Sequence, residues 1–436
     1  MSTPLLQDPL HTLTTLLDKA IERALPERNL LHYLPKPPVG RTLVLGAGKA
    51  AASMALALQK HWPVGCELSG LVVTRYGHVP KEQEGVNNRI EIMQAAHPVP
   101  DAQSVLAAQK MLALTRSLTK DDLVIALISG GGSSLLMLPV EGLSLSEKQS
   151  INQSLLSSGA NIWEINCVRK HLSGIKGGRL AQACSAAKLL SLCISDVPGD
   201  DPATIASGPT VADESTCAQA LEVIEKYQIK IPPAIIAALE QQMLETPKVG
   251  QMDLSKQELH IIATPRASLE AAAQWAQSQG LRAYILSDEI EGESKDVALV
   301  HAALAKACSK GLGPFVKPCV LLSGGETTVT LLPESGTVFG RGGRASEFCL
   351  SLAKALKGAS DIWALAADTD GIDGVEDNAG AWVGPLTLSM AQEQGLKADD
   401  FLHRHDAYGF FQAIGGLIVT GPTFTNVNDF RAILIL

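Results

Sequence analysis

The sequence predicts an α/β protein of two domains, and three observations support this fold class. Short apolar runs alternate with helical segments, as in a parallel sheet that helices cover on both faces. The 436 residues exceed what one hydrophobic core usually organises. Ser-Gly-Gly follows an apolar run twice, in LISGGGSS (127–134) and LLSGGETT (321–328). We expect a larger N-terminal Rossmann-like doubly wound sheet at 1–245 and a smaller C-terminal α/β domain at 257–436.

The first part of the chain predicts one helix followed by alternating strands and helices. Residues 8–25 form an amphipathic pattern in which Leu13, Leu17 and Ile21 share one face. Strands are predicted at 42–45, 70–74, 90–95, 122–128 and 188–194. Helices are predicted at 50–60, 101–117, 146–158, 161–171 and 178–186. A further helical stretch covers 215–245.

The polar stretch ETPKVGQMDLSK (245–256) has no hydrophobic period and is the expected domain boundary. Beyond it the alternation restarts. Strands are predicted at 258–263, 282–287, 318–323 and 362–367, and apolar strand-like pieces follow at 417–420 and 430–436. Helices are predicted at 266–279, 294–309 and 345–357.

Composition excludes several classes of protein. A net charge of −9 and an aromatic content of 4% argue against a nucleic-acid binder, which needs a basic face and stacking side chains. No apolar run approaches the roughly 20 residues of a membrane span, and no basic region precedes the first leucines as in a signal peptide. The eight cysteines are scattered without a CxxC pair. This pattern favours reduced thiols, and therefore a cytoplasmic protein.

Five loops that follow predicted strands combine glycines with lysine, hydroxyl or carboxylate side chains. They are LGAGKAAASM (45–54), ISGGGSSLL (128–136), SDVPGDDPATIASGPT (195–210), SGGETT (323–328) and DTDGIDGVED (368–377). Glycine-rich turns present backbone amides to anions, and helix N-termini add partial positive charge. One such loop alone would be as consistent with an ordinary turn as with a ligand site. Five of them, with carboxylates of the kind that bind metals, indicate nucleotide-dependent phosphoryl transfer.

The last of these loops contains five acids within ten residues. A solvated acidic loop is the simplest interpretation, but ligands of open α/β sheets bind beyond the carboxyl ends of strands. An EF-hand is excluded because, counted from Asp368, position six is Asp373 instead of Gly and position twelve is Ala379 instead of Glu. A loop for magnesium and phosphates remains.

The first loop also matches a relaxed dinucleotide fingerprint through Gly46, Gly48 and Ala51. The next strand ends in Thr74 and Arg75 instead of an acid, and an arginine there can accept the phosphate of NADP. An NAD(P)H-dependent reductase is therefore an alternative. A Walker A sequence and the protein-kinase motifs are absent from the sequence, which excludes those two classes.

Two basic clusters complete the candidate site. VRKHLSGIKGGR (168–179) contains Arg169 and Lys176, although a basic helix C-terminus ended by glycine would look similar. Arg341 and Arg344 lie in FGRGGRASEF just before a predicted helix, where arginine forks can bind carboxylate or phosphate. His97, in AAHPVPD, is interpreted as a structural histidine.

These motifs resemble those of the glycerate 2-kinases of the MOFRL family over nearly the whole chain. The resembling stretches are GAGKAAASM, AAHPVPD, ISGGGSSLL, VRKHLSGIKGGRLA, ISDVPGDDPATIASGPT, LLSGGETTVT, GRGGR with Glu347, and AADTDGIDGVEDNAGA. One departure is Ala345, where the family commonly has Asn. Bacterial members are often labelled hydroxypyruvate reductase, which keeps the reductase alternative open.

The resemblance implies two domains with the active site in the cleft between them, and phosphorylation of the 2-hydroxyl of D-glycerate by ATP with Mg²⁺ or another divalent cation. It implies that Lys49 and Arg341 are catalytic. Asp196 is our first choice as general base, and magnesium is expected among Asp196, Asp200, Asp368 and Asp370. The predicted substrate or nucleotide contacts are Gly46, Gly48, Ser129, Gly130, Gly131, Gly132, Ser133, Ser134, Arg169, Lys176, Ser323, Gly324, Gly325, Glu326, Gly343, Arg344 and Glu347.

The resemblance also implies a small-molecule substrate, D-glycerate, as the partner, with neither nucleic acid nor membrane involved. We expect a monomer or homodimer. A non-catalytic protein that binds sugar acids or nucleotides is a further alternative, because glycine loops and basic clusters bind ligands without turnover as well.

Overall fold

Two compact units, each with a six-stranded sheet, make up the described chain. The computed structural model describes residues 8–80, 89–331 and 339–436, except for the side chain of Leu254. We call the unit formed by 26–196 and 200–262 the parallel unit. The mixed unit consists of the described residues up to Leu25 together with 197–199 and 263–436.

The sheet of the parallel unit has the strand order β3-β2-β1-β4-β5-β6, which is the order of a doubly wound dinucleotide-type fold. Its strands are β1 (Thr42–Ala47), β2 (Leu68–Arg75), β3 (Ile90–Ala95), β4 (Leu123–Ile128), β5 (Lys188–Ile194) and β6 (Gln257–Ala263). The pairings from β3 to β5 are parallel. Every residue of β1 and β4 is buried, as expected for central strands covered on both faces.

The helices of the parallel unit are α2 (Pro26–Asn29), α3 (Ala51–His61), α4 (Ala102–Thr115), α5 (Gly132–Leu135), α6 (Leu145–Ser157), α7 (Ile162–His171), α8 (Arg179–Ala183), α9 (Cys217–Lys226) and α10 (Pro233–Glu240). Four of them, α4, α6, α7 and α9, begin at a side-chain N-cap. Ser144 and Glu147 form a capping box at α6, and Asn161 and Glu164 form one at α7. These two helices deliver several side chains to the candidate site.

The sheet of the mixed unit has the order β13-β12-β11-β14-β9-β7 and is mainly antiparallel. Its strands are β7 (Arg282–Ser287), β9 (Cys319–Ser323), β11 (Ile362–Asp368), β12 (Gly380–Val383), β13 (Leu417–Ile418) and β14 (Asp429–Ile435). Two short strands, β8 (Gly292–Glu293) and β10 (Thr327–Thr328), pair separately. The helices are α1 (Pro9–Ala24), α11 (Pro265–Ser278), α12 (Ser294–Ser309), α13 (Arg344–Leu356), α14 (Thr387–Glu393), α15 (Ala398–His403) and α16 (Ala407–Ile414).

The predicted α/β class is confirmed, and two features differ from the expected organisation. The strand predicted at 258–263 to open the second domain is β6, which completes the first sheet. The first helix, predicted within 1–245, belongs to the mixed unit, because Leu13, Leu16 and Leu17 pack in one core with α11 and the sheet. Strand β12 and helices α14–α16 were not predicted.

None of the helices in the described ranges combines the length and the apolar character that crossing a membrane requires.

Replacing Leu16 with Ala tests the assignment of α1 to the mixed unit. Leu16 is fully buried in that core, so we expect the variant to lose about 2–5 kcal/mol of unfolding free energy. Leu299 on α12 is 53% exposed, and Leu299→Ala should change stability by no more than about 0.5 kcal/mol. Urea denaturation measures both variants. Equal, small effects would contradict the packing described here.

Candidate active site

The candidate site of the parallel unit lies at the carboxyl ends of its strands. Strand β1 leads into Lys49, β2 ends at Arg75, and β3 is followed by His97. Strand β4 leads into the loop Ser129–Ser134, and β5 leads into Asp196. Because these strands are parallel, their loops emerge at one edge of the sheet, where α/β proteins bind ligands.

The backbone of the GAGK loop is fully used inside the protein. The amides of residues 48–51 all donate to protein acceptors. The acceptors are the carbonyls of Val73, Gly130 and Gly48 and the hydroxyl of Ser129. A dinucleotide fingerprint needs these amides for a pyrophosphate. In this loop they hold β1 against the loop that follows β4 instead.

Gly48 is required for that close approach. Its φ of +136° lies in a region that side chains rarely adopt, and a β-carbon there would overlap Ser129. A β-carbon on Gly46 would meet the carbonyl of Leu127 in the same way. Both glycines were predicted as ligand contacts. Their positions show a packing role, which explains the two glycines without a nucleotide.

Lys49 and His97 both pack against Gly131. A β-carbon on Gly131 would lie 3.2 Å from Lys49 Cγ and 3.1 Å from His97 Nε2. Burial, with a contribution from the charge of Lys49, lowers the pKa of His97 to about 3, so its imidazole is neutral at physiological pH. His97, interpreted from the sequence as structural, therefore lies beside the predicted catalytic lysine.

Three buried cations lie behind the Ser129–Ser134 loop without a carboxylate partner in the described part of the chain. Lys148 is 0% and Lys176 is 1% exposed. Lys148 donates to the carbonyl of Arg169 at 3.1 Å, and Lys176 donates to the carbonyl of Ser133. The Nε of Arg169 is buried and has no acceptor among the described residues. Burying uncompensated charge is costly, so the cluster favours an anion.

The pKa values of the two lysines also show that their positive charge is not compensated by the protein groups around them. Burial, with the charge of Arg169, lowers the pKa of Lys176 to about 7. Burial also lowers the pKa of Lys148 well below its ordinary value, and the charges of Lys176 and Arg169 act in the same direction. An anion beside these side chains would favour their charged forms.

The SDVPGDDPATIASGPT loop contacts the glycine loop through hydroxyl groups. The hydroxyls of Ser133 and Ser207 are 2.9 Å apart, and Ser207 donates to Asn166 Oδ1 at 3.1 Å. Ser207 has a φ of +61°, and Asp200 a φ of +54°. Asp196 and Asp200 belong to the parallel unit. Their assignments as base and metal ligand stay predictions.

Arg344 organises the candidate site of the mixed unit. Its guanidinium contacts Glu326 after β9 at 2.5 Å, Asp368 at the end of β11 at 2.8 Å and Asp429 at the start of β14 at 2.6 Å. One cation therefore fastens three chain segments at one edge of the sheet. Three carboxylates already occupy the donors of Arg344. Its guanidinium is therefore better suited to holding the loops in place than to binding an anionic ligand.

Arg341, three residues earlier, is in a different environment. Its side chain is 54% exposed, lies over the ring of Tyr408 at 4.6 Å and reaches Glu376 Oε2 at 3.7 Å. It also donates to Gln412 Oε1 at 3.2 Å. An exposed guanidinium in these contacts can exchange them for a phosphate or carboxylate at little cost. The two arginines of GRGGR therefore differ in role.

The remaining residues of that loop hold the start of α13. Asp373 is fully buried and accepts from the amides of Ala345 and Ser346 at 2.9 and 2.8 Å. Gly343 packs against Asp373 so closely that a β-carbon would overlap it. Glu347, a predicted ligand contact, is buried and bonds His405 Nδ1 at 2.8 Å. These contacts support the loop.

The loop after β9 is held in a similar way. Ser323 shares a 2.9 Å hydrogen bond with His301 Nε2, and the carbonyl of Gly324 accepts from Arg431. The carbonyl of Gly325 accepts from the amide of Asp429. Their assignment as ligand contacts stays a prediction.

The predicted metal ligands Asp368 and Asp370 follow β11 and are 4% and 0% exposed. Asp368 pairs with Arg344, and Asp370 Oδ1 accepts from the amide of Ile372 at 2.8 Å. In the described ranges, three potential metal-binding side chains lie within 4.8 Å of one another elsewhere, at His171, Cys217 and Glu245. The carboxylate there already contacts Lys248 at 2.6 Å. The magnesium assignment stays a prediction.

Replacing Arg344 with Met should destabilise the mixed unit. The change removes the cation that contacts Glu326 and Asp368 and leaves Arg431 as a partner of Asp429, so the loss of these ion pairs should cost about 3–5 kcal/mol of unfolding free energy. Arg341→Met removes an exposed side chain and should cost less than about 1 kcal/mol. Urea denaturation compares the two variants. Equal stability of Arg344→Met and the parent chain would contradict the organising role.

The pH dependence of stability tests the buried lysine. The folded protein releases the proton of Lys176 near pH 7, whereas an ordinary lysine in the unfolded chain holds it to about 10.5. Between these values the unfolded chain binds more protons, so the unfolding free energy rises with pH by at most about 1.4 kcal/mol per unit. Lys176→Met should lose this rise in urea denaturation at pH 7 to 9. Identical slopes would contradict the assignment.

Comparisons with known proteins agree with these motifs. Residues 12–240 match the model of a domain of unknown function, DUF4147, and residues 319–429 match the MOFRL family. A protein of Agrobacterium vitis named putative hydroxypyruvate reductase is 53% identical over 98% of this chain and 94% of its own. The D-glycerate 2-kinase of Thermotoga maritima is 39% identical over 95% of both chains.

A solved structure extends the similarity to the fold. The crystal structure of glycerate kinase from Thermotoga maritima superimposes with a TM-score of 0.84 at 38% identity, covering 98% of this chain and 99% of that one. The similarity therefore spans both units and all the motifs described above. The chain belongs to the glycerate 2-kinases of the MOFRL family.

Proposed function

We propose that this chain is an ATP-dependent glycerate 2-kinase that converts D-glycerate and ATP into 2-phosphoglycerate and ADP. The supporting observation is the group of buried cations behind the Ser129–Ser134 loop, in a chain whose relatives include named D-glycerate 2-kinases. Both substrates are anions, and the phosphoryl group that moves is the most highly charged part of either. A site with unpaired positive charge suits them.

The amides of the glycine loop supply a second element of the site. Among the described contacts, those of Gly130 and Gly131 donate to no protein acceptor. Successive unpaired amides bind phosphate or carboxylate oxygens. This loop, and not GAGK, offers the anion nest of the parallel unit.

Lys49 and Arg341 are the proposed catalytic groups. Lys49 lies beside the glycine loop on Gly131, where its ammonium can neutralise charge on a transferring phosphoryl group. Arg341 is the exposed arginine of GRGGR and presents a planar fork. Phosphoryl transfer depends mainly on positioning and charge neutralisation, and both side chains supply these. Asp196 remains the proposed base for the 2-hydroxyl.

The proposed ligands of a divalent cation are carboxylates, and the candidates follow β5 and β11. Asp196 and Asp200 follow β5, and Asp368 and Asp370 follow β11. Hard cations such as Mg²⁺ prefer carboxylate oxygen and keep several waters. The cation would neutralise charge on the phosphates of ATP.

An NAD(P)H-dependent hydroxypyruvate reductase is the second candidate. The strand order of the parallel unit, Arg75 at the end of β2 and the name of the Agrobacterium vitis relative favour it. The occupied amides of residues 48–51 oppose it, because a dinucleotide pyrophosphate would need them. The kinase therefore explains more of the structure.

We also propose a cytoplasmic location and a monomeric or homodimeric enzyme. All eight cysteines are free thiols, which is typical of a reducing compartment.

A coupled assay of ADP release tests the function. We expect turnover that requires D-glycerate, ATP and magnesium together, since each supplies a part of the reaction. Hydroxypyruvate with NADPH should give no loss of absorbance at 340 nm. NADPH oxidation without ADP release would favour the reductase, and ligand binding without either reaction would favour a non-catalytic protein.

Removing either proposed catalytic group should reduce kcat without unfolding the chain. Lys49→Met and Arg341→Gln each remove one electrostatic stabiliser, which typically costs a factor of about 100 to 1,000 in kcat. Arg404 is the matched control for Arg341, since it is 49% exposed and lies over the ring of Phe401 at 5.0 Å. Arg404→Gln should retain full activity. An Arg341→Gln enzyme as active as Arg404→Gln would contradict the role of Arg341.

A further inference from the structure

A cavity of about 290 Å³ opens beside the Ser129–Ser134 loop in the parallel unit. Gly131, Ser133 and His97 line one side, and Arg169 lines the floor. Its volume is at the small end of ligand pockets, which span roughly 300–1,000 Å³. The cavity therefore suits a small molecule better than a whole nucleotide.

Helix α6 supplies the opposite wall through one of its faces. Gln149, Asn152, Gln153 and Leu156 all line the cavity. They are spaced three and four residues apart, so they project from the same side of the helix. None of these positions stood out in the sequence, because carboxamides on an exposed helix face are common.

The cavity presents one unmatched donor and unmatched acceptors. Arg169 Nε is a buried donor and Asn152 Oδ1 a buried acceptor, and neither has a partner in the ranges the structure describes. Gln149 donates its amide to the carbonyl of Pro100 at 2.7 Å, which leaves its own carbonyl oxygen as an acceptor. Buried polar groups are rarely left unpaired, so a ligand should satisfy both kinds of group.

The charge of the cavity specifies the anionic part of that ligand. Arg169 lines the cavity, and no carboxylate residue is among its described lining. Burial and neighbouring positive charge lower the pKa values of Lys148 and Lys176, and an anion on Arg169 would favour the charged forms of both. A carboxylate that reaches Arg169 would therefore be bound by charge-assisted hydrogen bonds.

We propose that this cavity is the subsite of the acceptor hydroxy acid, with the carboxylate on Arg169 and the hydroxyl groups donating to the carbonyl oxygens of Asn152 and Gln149. The assignment rests on the proposed function and identifies where one of its two substrates binds. Polyphosphate is a poor match, because its oxygens accept hydrogen bonds and cannot satisfy the carbonyl oxygens of Asn152 and Gln149. A hydroxy acid contains both the acceptor and the donor.

The position of the cavity agrees with phosphoryl transfer to a hydroxyl group of the bound acid. Gly131 lines the cavity and also packs against the side chain of Lys49. An acid bound in the cavity would therefore lie near the proposed catalytic lysine, with Gly131 in contact with both. Arg169, Asn152 and Gln149 are positioning and specificity groups in this account.

An added negative charge in the cavity separates the two substrates. Asn152→Asp places a carboxylate where the acid should bind, so we expect KM for D-glycerate to rise at least tenfold and KM for ATP to change less than twofold. Ser154→Asp is the matched control, because Ser154 is exposed on the same helix but on another face. It adds the same charge and should change neither KM.

A neutral variant tests the hydroxyl contact directly. Calorimetry of the full chain compares D-lactate with propionate, two acids that differ by one hydroxyl. We expect the parent chain to bind lactate at least tenfold more tightly, and Asn152→Leu to reduce that ratio to below threefold. A purely structural role of Asn152 would weaken both acids equally and leave the ratio unchanged, which would overturn the proposal.

The outcomes distinguish this subsite from the proposed function. A rise in KM for ATP alone would show that the cavity holds polyphosphate, and would overturn the subsite while the kinase stands. Absence of any phosphorylation of D-glycerate by the parent chain would refute the kinase, and the lactate-to-propionate ratio would still decide the subsite. A variant with raised KM for D-glycerate and a lost hydroxyl preference supports both.

Discussion

The candidate site of the parallel unit depends on positive charge that the described protein groups do not neutralise. Lys148 and Lys176 are almost fully buried, and their ammonium groups reach only backbone carbonyls. Arg169 presents a guanidinium with an unpaired Nε beside them. Three such charges would repel one another in a closed interior. An anionic substrate would compensate this charge, which is why we propose that it binds beside the glycine loop.

In the mixed unit, the clustered side chains are carboxylates, and arginine side chains pair with them. Its loops bring Glu326, Asp368 and Asp429 to one edge of the sheet, where Arg344 contacts all three and Arg431 also pairs with Asp429. This arrangement fixes the loops and the start of α13, and leaves Arg341 exposed nearby in sequence. Two arginines of one short motif therefore have different tasks. One is held by carboxylates and maintains the structure, whereas the other is accessible to a ligand.

Much of the fold followed from the sequence because apolar runs and caps are local signals. The strands of the parallel unit were predicted within a few residues. The antiparallel sheet of the mixed unit was not, since the pairing of β11 with β14 joins segments more than sixty residues apart. Because sequence patterns are local, they also predicted only some of the site residues. Lys49, Arg169 and Lys176 lie in recognisable motifs, whereas Lys148 and Asn152 lie on a helix whose sequence gives no sign of a nearby glycine loop.

Local motifs also gave one misleading signal. Gly46 and Gly48 match a dinucleotide fingerprint in sequence, but their lack of side chains accommodates β4 and Ser129. A one-dimensional pattern cannot show whether a glycine makes room for a ligand or for a neighbouring strand. The hydrogen bonds of residues 48–51 make that distinction here.

A crystal structure of the full chain with D-glycerate would test the central claim most directly. The account expects the carboxylate of D-glycerate within hydrogen-bond distance of the Arg169 guanidinium, with a hydroxyl on Asn152. Clear density for D-glycerate at another place, with Arg169 still unpaired, would contradict the account.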